Sequence, residues 1–461
     1  MNFIEDFFLE LSSYLWGWPM IVLLLGTHIF LTIRLRVPQR KLLTGIRLSV
    51  TRDRQSAGDV SQFGALATAL AATIGTGNIV GVATAVALGG PGAVLWCWLT
   101  GLFGIATKYA EGLLAVKYRV RGSDGHTYGG PMYVLERGLG LRWLAVLFAV
   151  FTALASLGIG ATVQANSIAL MSHDTFDVPE WAVGGVVCLL IGAVILGGVR
   201  SIAHVCAVLV PFMAVFYVAG CVVILCINGA YVWPALRLIV HSAFHPEAAG
   251  GGFVGATVMM AARYGIARGL FSNESGLGSA PIVAAAAQTR NPVRQALVSS
   301  TGTFWDTVVI CALTGLVVVS SILAHPDISY ADGGALTRVA FAKIPYIGAP
   351  LLSFGILTFA FTTILGWSYY GKSAMSYLET TVHSPQSRRW SRAYLIIYIA
   401  SVFIGSVVSL DLIWNISDCM NALMAIPNLI SLLLLSTVAA RETEKYLWTN
   451  RLDDDMGDAY D

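Results

Sequence analysis

The chain has 461 residues, 56% of them hydrophobic and only 12% charged, with a formal net charge of +2 and a mean hydropathy of +0.72. A soluble globular protein carries about 25% charged residues, so this composition excludes a set of soluble domains, a disordered chain and a nucleic-acid binder. It describes an all-α polytopic membrane protein whose largest partner is the lipid bilayer.

A bilayer core about 30 Å thick takes about 20 apolar residues per helix. By that measure eleven segments are predicted, near 14–33, 62–90, 92–116, 143–171, 182–199, 203–228, 252–287, 296–323, 347–379, 392–409 and 412–439. The start, MNFIEDFFLE, is acidic, and no small-residue cleavage site follows the first apolar stretch. That stretch therefore reads as a retained span and not as a signal peptide. Cys97, Cys188, Cys206, Cys221, Cys226, Cys311 and Cys419 all lie in apolar segments without a CxxC pair. They read as small hydrophobes, and the scattered histidines offer no ligand spacing, so no resident metal is expected.

Basic residues orient the segments, because cytoplasmic loops are enriched in Lys and Arg. Arg34, Arg36, Arg40, Lys41, Arg47, Arg52 and Arg54 face only Asp53 and Asp59 in the first loop. Lys117, Arg119, Arg121 and Arg137 follow the third segment, Arg200 the fifth, Arg290 and Arg294 the seventh, and Arg388, Arg389 and Arg392 the ninth. The pattern predicts an outside N-terminus and a cytoplasmic C-terminus.

Two segments are interrupted near their centres. The second carries Gly75, Thr76, Gly77 and Asn78, and the seventh carries the run Ser272 to Gly278. Glycine is costly inside a helix, and unpaired backbone in hydrocarbon costs several kcal/mol, so such breaks persist only inside protein or beside a cavity. Each break opens a block of five segments. Five is odd, so the second block lies upside down relative to the first, the inverted-repeat arrangement of many secondary transporters. The expected organisation is an extra helix and basic loop over 1–61, a first repeat over 62–229, an extracytoplasmic connection over 230–251, a second repeat over 252–439 and a cytoplasmic tail over 440–461.

SQFGALATALAATIGTGNIVGVATAVALGGPGAVLW (61–96), GIATKYAEGLLAVKYR (104–119), VQANSIA (163–169), RGLFSNESGLGSAP (268–281) and FAFTTILGWSYYG (359–371) resemble motifs of the alanine/glycine:cation symporter family. The resemblance runs from about residue 15 to residue 440. It implies a leucine-transporter-type 5+5 inverted repeat with one extra N-terminal helix. It also implies uptake of alanine, glycine or similarly small neutral amino acids in a prokaryotic inner membrane, coupled to sodium or, in some members, to protons. One departure is Lys372, which stands where the family commonly has an acidic residue.

Thr76 and Gly77 present backbone N–H groups at the head of a half-helix, which suits a substrate carboxylate. By resemblance, the carbonyls of Phe271 and Ser272, together with Ser275, receive the ammonium group, and Gly276 leaves room beside it. Gln164 and Asn166 resemble the family's polar pocket wall, with Gln164 favoured, and the alternative for either is bonding between helices. Phe271 and Trp367 limit the space to a methyl group or less. For sodium, a co-transported ion and not a cofactor, the resemblance implies Thr362 and Thr363 with the carbonyls of Ala71, Ile74 and Phe359. A weaker second site falls at Thr73 and Asn78 beside Ser272. The bland alternative for the threonines is bonding back to their own helix.

Intramembrane charges are functional suspects. Glu274 and Arg268 are expected to pair across the second break, with proton coupling through Glu274 as the sharper alternative. Lys108 and Glu111, spaced i,i+3, read as a structural pair. Asp306 either contributes to ion binding or caps a polar network. A channel needs a continuous polar pore, and an enzyme needs a nucleophile or an acid/base cluster at the membrane surface, which the loop YGGPMYVLERG (128–138) lacks. The nearer rival is a proton-coupled transporter of the same fold, using Glu274 or Asp306.

Overall fold

The computed structural model describes residues 3–51, 56–122, 124–245, 257–325, 328, 333–343, 346, 348–382, 389–408 and 411–455. Arg52, Asp53, Arg54, Arg388, the stretch 246–251 and the first residues of the seventh apolar segment (252–256) lie outside the described residues.

The chain is mostly helical. α1 (Phe3–Leu15) and α2 (Trp18–Arg34) are followed by the short α3 (Leu42–Ser49). α4 (Gln62–Thr73) and α5 (Val82–Gly89) are joined through a π-helical turn at Gly77–Gly81, with a bend of 54°. Next come α6 (Gly92–Lys117), a hairpin pairing Val120 with Tyr128 and Arg121 with Thr127, and the single turn α7 (Pro131–Tyr133). α8 (Arg142–Ala155) runs through a π-helical stretch into α9 (Val163–Phe176), followed by α10 (Glu180–Leu196), α11 (Gly198–Ile227) and α12 (Gly229–Ser242). The second half holds α13 (Val258–Asn273), α14 (Ala280–Ala284), α15 (Pro292–Thr303) and α16 (Ala312–Ala324). It ends with α17 (Gly333–Ala342), α18 (Gly348–Val382), α19 (Arg389–Val407), α20 (Asp411–Leu434) and α21 (Ser436–Thr443).

Among the described residues, eight helical stretches are long and apolar enough to cross a membrane, and α4–α5 makes nine if the bent pair counts as one. Of the eleven expected segments, the two outside that count are the fifth and the seventh. α10 has only 17 residues. The seventh is interrupted between Asn273 and Ala280 and carries Arg263, Arg268 and Glu274, so no uninterrupted apolar window remains.

Among the helices that hydropathy did not foretell are α1, α12 and α17. α1 is amphipathic and lies on α20, where Cys419 Sγ meets the carbonyl of Phe8 at 3.4 Å. α12 occupies the stretch expected as a plain connection, and α17 sits against α5 and the π-helical turn before it, where Thr337 Oγ1 donates to Ile79 O at 3.0 Å. The C-terminal segment is also ordered by contacts. Lys117 pairs with Glu442 at 2.7 Å, and Asn291 Nδ2 donates to the carbonyls of Leu452 and Asp454 at 2.9 Å.

α6 is the hub of the packing, lying against α13 and α15. The approach is close because glycines face it: a Cβ on Gly265 would stand 2.3 Å from Ala93 O, and one on Gly269 2.1 Å from Thr100 Oγ1. Without a hydrophobic drive between helices in lipid, such small-residue contacts supply the packing.

Candidate functional site

The first break begins where Ile74 leaves helical geometry (ψ 88°) after α4. Asn78 Oδ1 accepts the Gly75 amide at 2.9 Å, and the second half-helix starts at Gly77 with no side-chain cap. A threonine, an isoleucine and two glycines in a row have low helix propensity, which is why the helix yields here. Gly75 is also demanded by its neighbour, since a Cβ there would stand 2.9 Å from Thr363 Oγ1.

Around this break the structure gathers most of the oxygen atoms expected for a cation. Thr363 Oγ1 lies 3.0 Å from Ala71 O, 3.4 Å from Ile74 O and 2.9 Å from Phe359 O. One hydroxyl proton can serve only one of these carbonyls. The remaining oxygens form a compact hard-donor set of the kind a bare alkali cation accepts. Thr362 is not part of it. Its hydroxyl bonds back to Thr358 O at 3.1 Å and Phe359 O at 3.0 Å and faces Met213, because adjacent positions on a helix point about 100° apart.

The expected second cation site separates into two places. Asn78, Ser272 and Asp306 meet: Asp306 Oδ1 accepts Asn78 Nδ2 at 2.6 Å, and its Oδ2 accepts Ser272 Oγ at 3.1 Å and Thr307 Oγ1 at 2.6 Å. This fully buried carboxylate thus ties one broken helix to the other, from a π-helical stretch at Phe304–Cys311. Thr73 is elsewhere. Its hydroxyl returns to Leu70 O at 3.4 Å, and it borders a cavity of about 10 Å³ beside Lys108 and Asn273.

Gln164 reaches the first break, with its Oε1 accepting Thr76 Oγ1 at 3.4 Å while its Nε2 donates to Ile159 O at 3.2 Å. Phe271 covers the other side, its ring 3.6 Å from where a Gly77 Cβ would stand. Behind it, Trp16 packs edge-on at 5.9 Å, a contact the sequence reading lacked. Trp367 lies one turn beyond Thr363, packed on Gly160 and Tyr370, with its indole N–H buried and without a partner among the described residues. A cavity of about 360 Å³ reaches Thr76 past Ser167, Met171 and Thr337, with the ion pair of Arg338 and Asp174 in its wall.

The second break is built differently. Glu274 (φ 52°), Gly276 (φ 91°) and Gly278 (φ 88°) take left-handed conformations, and Leu270 O receives the Glu274 amide at 3.2 Å. The carbonyls of Phe271 and Ser272 fall in the last turn, where no intrahelical amide follows. Glu111 Oε1 accepts the amides of Gly276 and Gly278 at 3.0 and 3.1 Å and Asn428 Nδ2 at 2.7 Å. Lys108 Nζ stands 4.0 Å from Glu111 Oε2.

Three expectations at this break are corrected. The left-handed turn carries Ser275 away from Thr76, so that its hydroxyl bonds Thr303 at 3.1 Å instead of facing an ammonium group. Gly276 faces Leu24, Leu429 and His28, not the first break. No ion pair joins Arg268 to Glu274: Glu274 accepts Ser279 Oγ, while Arg268 lies near Gly81 and interacts electrostatically with Asp418. At the basic end, Lys372 borders a cavity of about 780 Å³ with Glu136, Arg137, Glu379 and Arg392.

Residues 1–458 match the model of the sodium:alanine symporter family. The chain is similar to an uncharacterized transporter of Haemophilus influenzae, 51% identical over 460 residues that make up 98% of this chain and 99% of that one. It is also similar to the sodium/alanine symporter AgcS of Methanococcus maripaludis, 48% identical over 443 residues, 94% of this chain and 95% of that one. Among solved structures, MhsT in complex with L-phenylalanine superposes with a TM-score of 0.59 at 14% identity, covering 86% of this chain and 95% of that one. At that identity the likeness speaks for the fold alone.

Proposed function

Because the chain belongs to the sodium:alanine symporter family, a family of multi-pass membrane transporters, we propose that it couples inward sodium flux to uptake of alanine and glycine by alternating access. The observation that carries this is the oxygen set at the first break. Thr363 Oγ1 sits within 2.9–3.4 Å of three carbonyls drawn from two elements, directly beside an uncapped half-helix.

In this reading sodium is held by Ala71 O, Ile74 O, Phe359 O and Thr363 Oγ1. The substrate carboxylate lies on the amides of Thr76 and Gly77, where the helix dipole and free donors favour an anion. The ammonium group meets the terminal carbonyls of Phe271 and Ser272. Gln164 orients the pair, and the Phe271 ring over Gly77 leaves space for a methyl group. Sodium joins Ala71 and Ile74 to Phe359 and Thr363, so it stabilises the arrangement of the first break that the substrate needs. That shared arrangement is the source of coupling.

The 5+5 inverted repeat over 62–229 and 252–439, with eleven spans in all, belongs to the same proposal. So do a basic, cytoplasmic end with the C-terminus and an outside N-terminus in a prokaryotic inner membrane. The spacing of the two breaks and the Lys and Arg bias of the loops support these assignments.

The test is uptake of labelled alanine into proteoliposomes, with inward sodium against potassium at equal membrane potential. Sodium-dependent accumulation, competed by glycine and not by leucine, is expected. Accumulation that follows a pH gradient instead moves the coupling ion to Asp306 or Glu274. No uptake under either gradient sinks the substrate assignment.

A further inference from the structure

At the basic end of the molecule, the lead-in to α4 is stitched to the run that leaves α14. Val60 and Ala287 form a parallel bridge. The amides of Asp59 and Val60 donate to Ala286 O at 2.8 and 3.2 Å, and the Gln288 amide donates to Val60 O at 2.7 Å. Gly58 (φ +145°) permits the approach, since a Cβ there would stand 2.5 Å from the Ala287 backbone. Arg119, only 6% exposed, lies across this stitch. Its Nη1 donates to Ala285 O at 3.1 Å and Ala287 O at 2.8 Å, and its Nη2 donates to Ala57 O at 3.0 Å. A hairpin adds a second layer: Asp59 Oδ2 accepts the Thr127 amide at 2.7 Å, and Asp59 Oδ1 lies 3.3 Å from His126 Nδ1.

We propose that Arg119 is a positioning residue for transport, the bolt that holds the two broken helices together at the cytoplasmic end and that must release Ala57 before the central site opens to that side. The inference rests on the transport reading above. A guanidinium suits the task because it is permanently charged and carries its donors in a rigid fork. One nitrogen stays on the carbonyls behind α14 while the other holds the chain before α4. Losing the Ala57 contact therefore removes the guanidinium's hold on the lead-in to α4 without touching its bonds behind α14, and leaves the backbone bonds of Asp59, Val60 and Gln288 as the tie that parts when this end opens. The other end of the molecule is built the opposite way, with the cavity that reaches Thr76. Cytoplasm-closed and outward-accessible is the arrangement in which such a bolt is engaged.

A native cysteine reports on the movement. Cys206 is fully buried on the face of α11 that packs on α4, three residues after Ala203, which lies against Gly64. Cys97 and Cys311 form a separate buried cluster with Val82. In inside-out vesicles, a membrane-impermeant maleimide is applied from the cytoplasmic side, and labelling of each cysteine is followed by peptide mass spectrometry. Arg119→Ala, which removes the bonds to Ala57, Ala285 and Ala287 together, is expected to speed modification of Cys206 by about tenfold or more, the least that losing a charge-assisted hydrogen bond is worth. Cys97 and Cys311 should keep their slow rates. Arg119→Lys, whose single ammonium cannot span both sets of carbonyls, should fall between the two. An unchanged Cys206 rate overturns the proposal, and so does a rise shared by all three cysteines, which would mark a residue that merely keeps the protein folded. Labelling needs no amino acid, so the result stands apart from whether alanine is the substrate.

Discussion

The two breaks look alike as strings of small and polar residues, yet they are held in opposite ways. At the second, a carboxylate from α6 takes two backbone amides, and Asn428 from α20 closes on Glu111 and on Gly276 O at 2.9 Å. At the first, the bend is kept by its own Asn78 on the Gly75 amide and by Thr363 reaching over from α18. Backbone opened in a membrane must find partners. The second break finds them in the protein, in Glu111 and Asn428. The first keeps an uncapped half-helix and a set of shared carbonyls, the features on which the proposed ion and substrate site rests.

Removing the clamp from the second break should have the largest effect. Glu111→Ala orphans the amides of Gly276 and Gly278 and removes the carboxylate paired with the buried Lys108. Breaking a buried pair in this way costs about 3–5 kcal/mol. The expected outcome is loss of monodisperse protein in detergent, or a melting temperature far below wild type. Glu111→Gln keeps an acceptor for the amides and should be milder. A Glu111→Ala protein that melts like wild type would show that the second break holds itself open and that the contrast is wrong.

At the first break the same logic predicts damage to binding without damage to the fold. The Phe271 ring lies 3.6 Å from a Gly77 Cβ, so the branched end of Gly77→Leu has to enter the space beneath it. Alanine affinity should fall by at least about 3 kcal/mol, a factor of roughly 150, while thermal stability measured without substrate stays near wild type. Retained binding would make the first break a packing surface.

Smaller again is the difference between two adjacent threonines. Thr363→Ala removes the only hydroxyl among the described residues that touches carbonyls of both elements, and it should raise the sodium concentration for half-maximal uptake by about tenfold, one hydrogen-bond equivalent. Thr362→Ala removes a hydroxyl bonded to its own helix, and its sodium curve should shift by about twofold or less. Equal shifts would mean that Thr362 turns into the cage when sodium arrives.

These contrasts divide what was legible in the sequence from what was not. Hydropathy marked the long segments because burial in lipid demands unbroken apolar length, and glycine with polar residues marked the two breaks. Asp306 stood out as a lone charge in an apolar run, and the structure ties it to both broken helices. Direction was not legible. Nothing in the order Thr362–Thr363 says which hydroxyl faces α4, and the left-handed turn at Glu274 swings Ser275 and Gly276 to the far side of the segment they were expected to line. Long-range partners were equally hidden. Asn428 is 317 positions from Glu111 and Arg119 is 166 from Ala285, and neither carries a local pattern. α1, α12 and α17 escaped because they are too short or too amphipathic for a hydropathy window.

Trp16 offers the finest test of the contrast, because its ring meets Phe271, which covers the first break. Trp16 donates its indole N–H to Asp418 O at 3.2 Å and meets the Phe271 ring edge-on at 5.9 Å, 66° from coplanar. Phe271 in turn limits the space over Gly77. An aromatic contact of this kind is worth about 0.5–1.5 kcal/mol, so Trp16→Ala should leave folding and the sodium curve nearly unchanged. It should let the Phe271 ring tilt, raising the KM for alanine by a factor of about 2–10. The same freedom should weaken steric exclusion, so that an amino acid one or two methylenes longer than alanine begins to compete. Uptake assays with alanine against 2-aminobutyrate and norvaline read both effects at once. If alanine affinity falls with no gain for the longer competitors, Trp16 braces the helix and not the ring, and size selection lies with groups other than the Phe271 ring, Gln164 beside Thr76 first among them.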